Sequence, residues 1–420
     1  MIYFLKKYNF KHILTLLSGN LGAQGITFIA GLLLARLYSP DDFGLLGVFL
    51  AISNILTPIS CLGYEAAIII SKDIKEAFKV SMLCIVISIS FALLLYVPIF
   101  FCQQQIIKWF NCNELYPFIY LIPLSVLLGG LFNTLNYFNT KIKEYKDIAV
   151  SNILKSFFCA IVQIVGSFFR NGPSMLIVGQ ATMNIFGNIR LLKNFLRYKS
   201  KIKIRNIITV SKRFSKFPKF YCLGVLSNNI SLNITNILIN KLFVASTVGF
   251  YSYAYKYVGF PISLIATSTG QIYYQELSEA KIDSKNINKI FKDTLIKLLI
   301  LGFPIFLTLY FIIKPGFILL FGEKWSMAGE IGQILIPLFF IRFITSPLSM
   351  TLLVFEKQKI LLFLQILLMN LTIIPYIITY ILKGSLIMYL YNLVYILLGY
   401  YILYLGIIYY IIHKYSKVDD

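Results

Sequence analysis

Charged and metal-binding side chains are scarce in this sequence. Asp, Glu, Lys and Arg make up only 13% of its 420 residues, whereas soluble domains contain about 25% of them. The two histidines, His12 and His413, lie near the ends, and the six cysteines include no Cys-X-X-Cys pair. These absences exclude an ordinary soluble domain and argue against a zinc site or any other metal site.

Sequences with known catalytic roles are missing as well. The chain has no glycine-rich phosphate loop of the Walker type, no nucleophile elbow and no His-Glu-X-X-His. The polar stretches are also too short to form a nucleotide-binding or glycosyl-transfer domain. We therefore expect neither an enzyme nor a cofactor.

Long apolar runs are what the chain has in abundance, since 58% of its residues are hydrophobic. A helix of about 20 apolar residues crosses a bilayer core about 30 Å thick. The polar clusters separate twelve such runs, at 12–35, 44–70, 80–101, 118–140, 148–169, 174–194, 221–243, 249–274, 295–316, 331–355, 360–383 and 386–412. The sequence therefore predicts an all-α integral membrane protein with about 12 transmembrane helices.

A basic stretch divides these runs into six and six. It predicts an N-terminal six-helix bundle at 1–194, a cytoplasmic linker at 195–219 and a C-terminal six-helix bundle at 220–420. A weak internal repeat supports the division, because a shift of 205 residues places Arg36 on Lys241 and Gly44 on Gly249. Transporters are often built from two such halves, with the substrate bound between them.

The cations are distributed unevenly along the chain. Most of the 39 lysines and arginines gather in alternate loops, which is typical of loops that face the cytoplasm. We therefore predict that both termini are cytoplasmic, and the net charge of +22 needs no nucleic acid to explain it. The linker is the most basic stretch, and we expect it to lie on anionic lipid headgroups.

The segment Ser-Pro-Asp-Asp-Phe-Gly at 39–44 separates the first two runs. Pro40 and Gly44 are expected to break one helix and start the next in a tight periplasmic hairpin. The repeat-related segment Val-Ala-Ser-Thr-Val-Gly at 244–249 keeps the glycine but lacks the proline and both acids. We therefore expect the two acids to be dispensable for the hairpin.

Cations inside the apolar runs are functional candidates, because a charge at membrane depth must face protein or water. Arg342 lies about halfway along its run, and Ser346 and Ser349 follow it on one helical face. It could line a lumen or form a structural ion pair. Lys155 and Lys256 lie roughly two turns into their runs, so they could bind a ligand or extend to the membrane surface.

Amides recur at helical spacing in three apolar runs, and one acid, Glu65, lies in another run. The amides are Asn20 and Gln24 in the first run, Gln180 and Asn184 in the sixth, and Asn229, Asn233, Asn236 and Asn240 in the seventh. Such stripes connect helices by hydrogen bonds or line a hydrated cavity. Glu65 could be a wetted helix end, a counter-charge or a proton carrier. A polar interior with several cations suits an anion such as phosphate or diphosphate.

Two stretches carry a family resemblance. Residues 33–73, with Arg-Leu-Tyr at 36–38, Pro40, Phe-Gly at 43–44 and Tyr-Glu-Ala-Ala at 64–67, resemble the N-terminal signature of the Wzx-type polysaccharide flippases. Residues 248–265, "VGFYSYAYKYVGFPISLI", resemble the second-half signature. These flippases belong to the multidrug/oligosaccharidyl-lipid/polysaccharide exporter superfamily, and the resemblance covers essentially the whole chain.

The resemblance implies a MATE-like fold of two six-helix bundles around a central cavity that opens alternately to each side. It also implies a bacterial inner-membrane flippase for undecaprenyl-diphosphate-linked oligosaccharide units of O-antigen (lipopolysaccharide), capsule or exopolysaccharide. Other partners would be membrane lipids, a polysaccharide polymerase, a chain-length regulator and a coupling proton or sodium ion.

From their positions, we expect Arg342, Lys256 and Lys155 to bind the diphosphate. The amides would contact sugar hydroxyls, and Glu65 would serve in coupling or as a counter-charge. A lipid II flippase and a multidrug or cation antiporter of the same superfamily are the alternatives.

Overall fold

The computed structural model describes residues 10–110, 112–169, 172–198, 204–282 and 286–416. Every regular element in these ranges is helical, which confirms the predicted all-α class. The chain divides into two compact units, Met1–Asn233 and Ile234–Asp420.

The first unit contains eight helices and most of a ninth among its described residues. They are α1 (Phe10–Leu37), α2 (Pro40–Leu56), α3 (Glu65–Ile70), α4 (Ile74–Phe110), α5 (Leu121–Lys141), α6 (Tyr145–Phe169), α7 (Ser174–Arg197), α8 (Ile204–Arg213) and the first part of α9 (Cys222–Leu242). The division between the units falls within α9.

The second unit continues with the rest of α9 and six further helices in its described residues. They are α10 (Ala245–Ile282), α11 (Ile287–Phe321), α12 (Ser326–Leu348), α13 (Thr351–Val354), α14 (Gln358–Leu382) and α15 (Leu386–Ser416).

Each predicted apolar run overlaps one long helix. Within the described part of the chain, 10 helical segments are long and apolar enough to cross a membrane. The helices α7 and α10, with 24 and 38 residues, are not among those 10. The chain is therefore a multi-pass membrane protein, and the count of twelve spans stays a prediction.

The start of α2 corrects the expectation for the hairpin. Ser39 is the N-cap and Pro40 the first helical residue, so Gly44 lies inside the helix. One carboxylate oxygen of Asp42 accepts hydrogen bonds from the backbone N–H and the hydroxyl of Ser39, each at 2.8 Å. The Ser39 hydroxyl in turn accepts the backbone N–H of Asp42 at 3.2 Å. These bonds form a capping box, so Asp42 supports the start of α2, a role that the comparison of the two repeats did not predict. That the acids are dispensable for the hairpin stays a prediction.

Replacing Asp42 with alanine is expected to destabilise the protein by up to about 1 kcal/mol, because the variant loses the capping-box carboxylate but keeps the Ser39 N-cap. Asp41→Ala is the matched control, because Asp41 is exposed and lies outside the capping box. The midpoints of thermal unfolding in one detergent would compare the two variants. Equal midpoints would contradict the capping role.

The linker packs partly into the core of the first unit. Val210 of α8 and the following Phe214 are 5% and 7% exposed, and both belong to the hydrophobic cluster around Phe78 of α4. Arg213 also forms an ion pair with Glu76. The expectation that the whole linker lies on lipid headgroups is therefore wrong, since one face of α8 is buried against protein.

An aromatic cluster joins three helices of the second unit. Trp325, which precedes α12, is fully buried and stacks on Tyr253 of α10 with ring centroids 4.3 Å apart. One turn further along α10, Tyr257 packs against Phe321 of α11 at 4.8 Å. Aromatic packing of this kind fixes the rotation of α10 about its own axis. That rotation determines which side chains Tyr255, which lies between Tyr253 and Tyr257, can contact.

Candidate functional site

Arg342 of α12 lies in an aromatic environment within the second unit. One of its guanidinium nitrogens donates a hydrogen bond to the hydroxyl of Tyr255 on α10. The guanidinium carbon is 5.6 Å from the centroid of the Tyr255 ring and 5.8 Å from that of Phe339. These contacts stabilise the cation without neutralising it.

Among the described residues, Arg342 forms no ion pair with a carboxylate. The structural ion pair that the sequence left open is therefore not formed within the described part of the chain. A guanidinium has five N–H donors, and the hydrogen bond to Tyr255 uses only one of them. A half-buried cation with unused donors favours an anion beside it.

A polar cavity lies entirely within the first unit. Its volume is about 180 Å³, and four helices and the turn after α2 contribute to its wall. The lining residues are Leu50, Ser53, Asn54, Thr57, Ser125, Gly129, Phe132, Asn133, Lys155, Gln180, Met183 and Asn184. The structure thus brings three of the sequence-predicted residues together here: Lys155, Gln180 and Asn184.

Lys155 of α6 is the cation of this cavity. Its ammonium nitrogen is 4.1 Å from the centroid of the Phe132 ring on α5, and it forms no ion pair with any described carboxylate. Gly187 of α7 makes room for that ring, because a Cβ atom at Gly187 would lie 2.8 Å from Phe132. The aromatic face and the ammonium group therefore form one wall of the cavity.

The amides of α1 lie elsewhere. Asn20 accepts a 2.8 Å hydrogen bond from Asn152 of α6, so it connects two helices. The side chain of Gln24 is exposed, and neither residue lines the cavity. Asn20 therefore has the helix-joining role that the sequence left open.

The amides of α9 are divided among several contacts. Asn229 donates to the carbonyl of Val225 at 2.8 Å, which is a bond within its own helix. Asn233 accepts a 3.3 Å bond from Asn54, which lines the cavity. In the second unit, Asn236 accepts a 3.3 Å bond from Ser252 of α10, and Asn240 is buried. One stripe on one helix face thus serves different neighbours along its length.

Lys256 differs from the other two predicted cations because its side chain is exposed. Its ammonium nitrogen is 5.5 Å from the centroid of the neighbouring Tyr257 ring. Lys256 follows Tyr255 directly in α10, but its side chain is more exposed than that of Arg342.

Sequence reasoning missed all three hydroxyl groups of the cavity, those of Ser53, Thr57 and Ser125, and the amide of Asn133. Ser53 and Thr57 lie four residues apart, and Ser125 and Asn133 lie eight apart. These spacings place the members of each pair on roughly the same side of the chain if it is helical. The signal was present, but serine and threonine also bond to their own helix backbone, so such a pair is a weak indication of a site.

Glu65 lies outside the candidate spans, between Ile59 and Ile74. Leu62 and Gly63 have positive φ angles of 51° and 79° and turn the chain, so that α3 begins at Glu65. The Glu65 carboxyl is buried, and its Oε2 has no hydrogen-bond partner among the described residues. Burial raises the pKa of Glu65 from 4.5 to about 7, although hydrogen bonds from the backbone of residues 65 and 63 oppose the rise.

Glu65→Gln is expected to be more stable than the wild type at pH 8, but not at pH 4. The raised pKa means that the folded state favours the protonated carboxyl, so the wild type loses stability as the pH rises from 4.5 through 7. The loss is about 3 kcal/mol, and the glutamine variant should escape it. Thermal unfolding of both proteins across this pH range measures the difference, and parallel pH profiles would contradict the assignment.

The cysteines and the described acids show no arrangement that would bind a metal ion. All six cysteines are free, with Cys102 exposed and Cys112 buried. Within the ranges that the structure describes, no group of three or more His, Cys, Asp or Glu residues could hold a metal ion.

Comparison with known proteins relates the sequence to one family. The family described as "Polysaccharide biosynthesis protein" matches residues 33–330. An "Uncharacterized membrane protein in cps region" of Klebsiella pneumoniae is 22% identical, over 79% of this chain and 68% of its own length. The "Lipopolysaccharide biosynthesis protein WzxC" of Escherichia coli (strain K12) is 20% identical, over 77% of this chain and 65% of its own length. The matched part thus corresponds to about two thirds of the length of each of these relatives.

Two solved structures share the fold. The lipid II flippase MurJ in an inward closed conformation superposes with a TM-score of 0.73 at 16% identity, covering 91% of this chain and 86% of that one. An inward-facing multidrug resistance MATE transporter superposes with a TM-score of 0.72 at 13% identity, covering 96% and 95%. These likenesses confirm the predicted MATE-like fold.

Proposed function

Because the chain belongs to the polysaccharide biosynthesis protein family, we propose that it is a flippase for undecaprenyl-diphosphate-linked oligosaccharide repeat units. It moves them from the cytoplasmic to the periplasmic leaflet of the bacterial inner membrane for O-antigen, capsule or exopolysaccharide assembly. One observation carries the choice of cargo: Arg342 is a half-buried cation that pairs with no described carboxylate.

The diphosphate of the lipid carrier supplies the negative charge and the hydrogen-bond acceptors that the unused N–H donors of Arg342 can bind. A guanidinium binds phosphate oxygens through two parallel N–H bonds, which fixes orientation as well as charge. The hydrogen bond to Tyr255 and the nearby Phe339 ring hold the guanidinium while its other donors bind the cargo. Lys256 is the second candidate for the diphosphate, with its exposed side chain one residue beyond Tyr255.

Transport occurs by alternating access, in which Arg342 becomes accessible from one side of the membrane and then from the other. Both termini face the cytoplasm, as the distribution of lysine and arginine favours. Glu65 takes up and releases the coupling proton, because burial brings its pKa to about 7. The polymerase and the chain-length regulator of the pathway receive the flipped unit.

A lipid II flippase is the second candidate, because lipid II carries the same diphosphate and would suit Arg342 equally well. A MurJ structure shares the fold. A multidrug or cation antiporter is less suited, since Arg342 and Lys155 would repel a cationic cargo.

Reconstitution into proteoliposomes tests the proposal. Lipid-diphosphate oligosaccharide is placed in both leaflets, and a membrane-impermeant enzyme measures the fraction that is accessible from outside. The wild-type protein should make the inner pool accessible, whereas protein-free vesicles should not. Parallel vesicles with lipid II separate the two candidates, and the absence of movement of either lipid would refute both.

A further inference from the structure

We infer that the cavity of the first unit binds one sugar ring that carries a carboxylate, with Lys155 pairing with that carboxylate. The inference rests on the proposed function, because the sugar would be one residue of the lipid-linked glycan. It assigns Lys155 to the sugar rather than to the diphosphate.

The size of the cavity limits what can enter. Its volume is about 180 Å³, whereas pockets for drug-sized ligands have about 300–1,000 Å³. An oligosaccharide is too large for it. A monatomic anion such as chloride would leave most of the cavity to water. One pyranose ring therefore matches the volume of the cavity better.

The lining offers the groups that a sugar needs. Ser53 is 3% exposed, and its hydroxyl has no hydrogen-bond partner among the described residues. Asn184, which is 8% exposed, presents its side-chain amide to the same cavity. A buried polar group without a partner is costly, so a ligand that supplies a hydroxyl group to Ser53 is favoured, and the Asn184 amide can bind a second one.

The arrangement of Lys155 and Phe132 selects the charge of the ligand. The Lys155 ammonium group lies over the Phe132 ring, 4.1 Å from its centre, and it pairs with no carboxylate among the described residues. A neutral sugar would leave the ammonium group without a counter-charge. A diphosphate carries more than one negative charge, but Lys155 is the only cation among the lining residues. A single carboxylate balances it.

Binding of small probes to the purified full-length protein tests this assignment. Methyl glucuronide and methyl glucoside differ only at C6, which is a carboxylate in the first and a hydroxymethyl group in the second, and their affinities can be measured by calorimetry in detergent. We expect the glucuronide to bind at least about tenfold more tightly, which is the lower range for one charge-assisted hydrogen bond. Lys155→Met should remove this preference and leave the weak affinity for the glucoside unchanged.

Two further variants separate the cavity from general effects. Lys146→Gln removes an exposed cation from the same helix α6, so it should keep the preference for glucuronide. Gly187→Ala should displace the Phe132 ring, which lines the cavity, and weaken both sugars. If acetate binds as tightly as the glucuronide, or if Lys155→Met retains the preference, the assignment is wrong.

The two proposals can fail separately. A protein that binds glucuronide but moves no lipid-linked glycan would refute the flippase and leave the cavity assignment standing. A protein that moves the glycan but shows no preference for glucuronide would refute only the cavity assignment.

Discussion

Replacing Arg342 with glutamine is expected to lower the rate of glycan translocation at least about 30-fold. Truncating one partner of a buried, hydrogen-bonded charge pair costs about 2–5 kcal/mol, and 2 kcal/mol already corresponds to about 30-fold. Glutamine keeps a polar side chain beside Tyr255 but removes the charge. The proteoliposome assay measures the rate at equal amounts of reconstituted protein.

Two matched variants show whether the charge itself is responsible. Arg342→Lys retains the charge but loses the two-pronged geometry, so its rate should lie between those of the wild type and Arg342→Gln. Lys256→Gln removes an exposed cation from the neighbouring helix α10, and a smaller loss is expected. Wild-type rates in Arg342→Gln would refute the role of Arg342 in binding the cargo.

Replacing Gly19 with alanine is expected to destabilise the first unit by about 3 kcal/mol, the upper range for overpacking a tight contact. A Cβ atom at Gly19 would lie 2.3 Å from the Cβ atom and 2.5 Å from the Cα atom of Ala149. The helices α1 and α6 approach each other closely at this point, as transmembrane helices do at small residues. Relief would require a shift of the helix backbone, and the Asn20–Asn152 hydrogen bond next to the contact would be strained.

Gly25→Ala provides the control on the same helix, because no atom of the described residues lies within 4 Å of a Cβ atom at Gly25. Alanine favours a helix over glycine by about 1 kcal/mol, so Gly25→Ala should be neutral or slightly stabilising. The midpoints of thermal unfolding in detergent distinguish the two variants. If both glycines respond alike, the close approach at Gly19 does not limit stability.

Much of the fold could be read from the sequence, because the length of an apolar run directly reports a helix that can cross a membrane. All twelve runs overlap a long helix. Helix ends were harder to place, since local hydrogen bonds determine them. Asp42 caps α2 through Ser39, and the left-handed turn at Leu62 and Gly63 separates Glu65 from α2 although the apolar run continues.

The candidate site could be predicted only in part. A cation within an apolar run is conspicuous in any sequence, so Arg342 and Lys155 were identified by their position. Their neighbours were not, because helical periodicity gives the face of a residue but not the helix opposite it. Amides show this limit most clearly: Asn229 bonds within its own helix, Asn20 joins α6, and Asn184 lines the cavity.

The sequence by itself determined that this protein is an all-α membrane protein with isolated cations in its apolar runs, because hydropathy and charge are properties of local segments. Its motifs also determined the family resemblance. Only the tertiary structure decided that Arg342 meets Tyr255 rather than a described carboxylate. It likewise decided that Lys155, Phe132 and Ser53 share one small cavity. These side chains come from separate helices, and the packing of helices against one another brings them together.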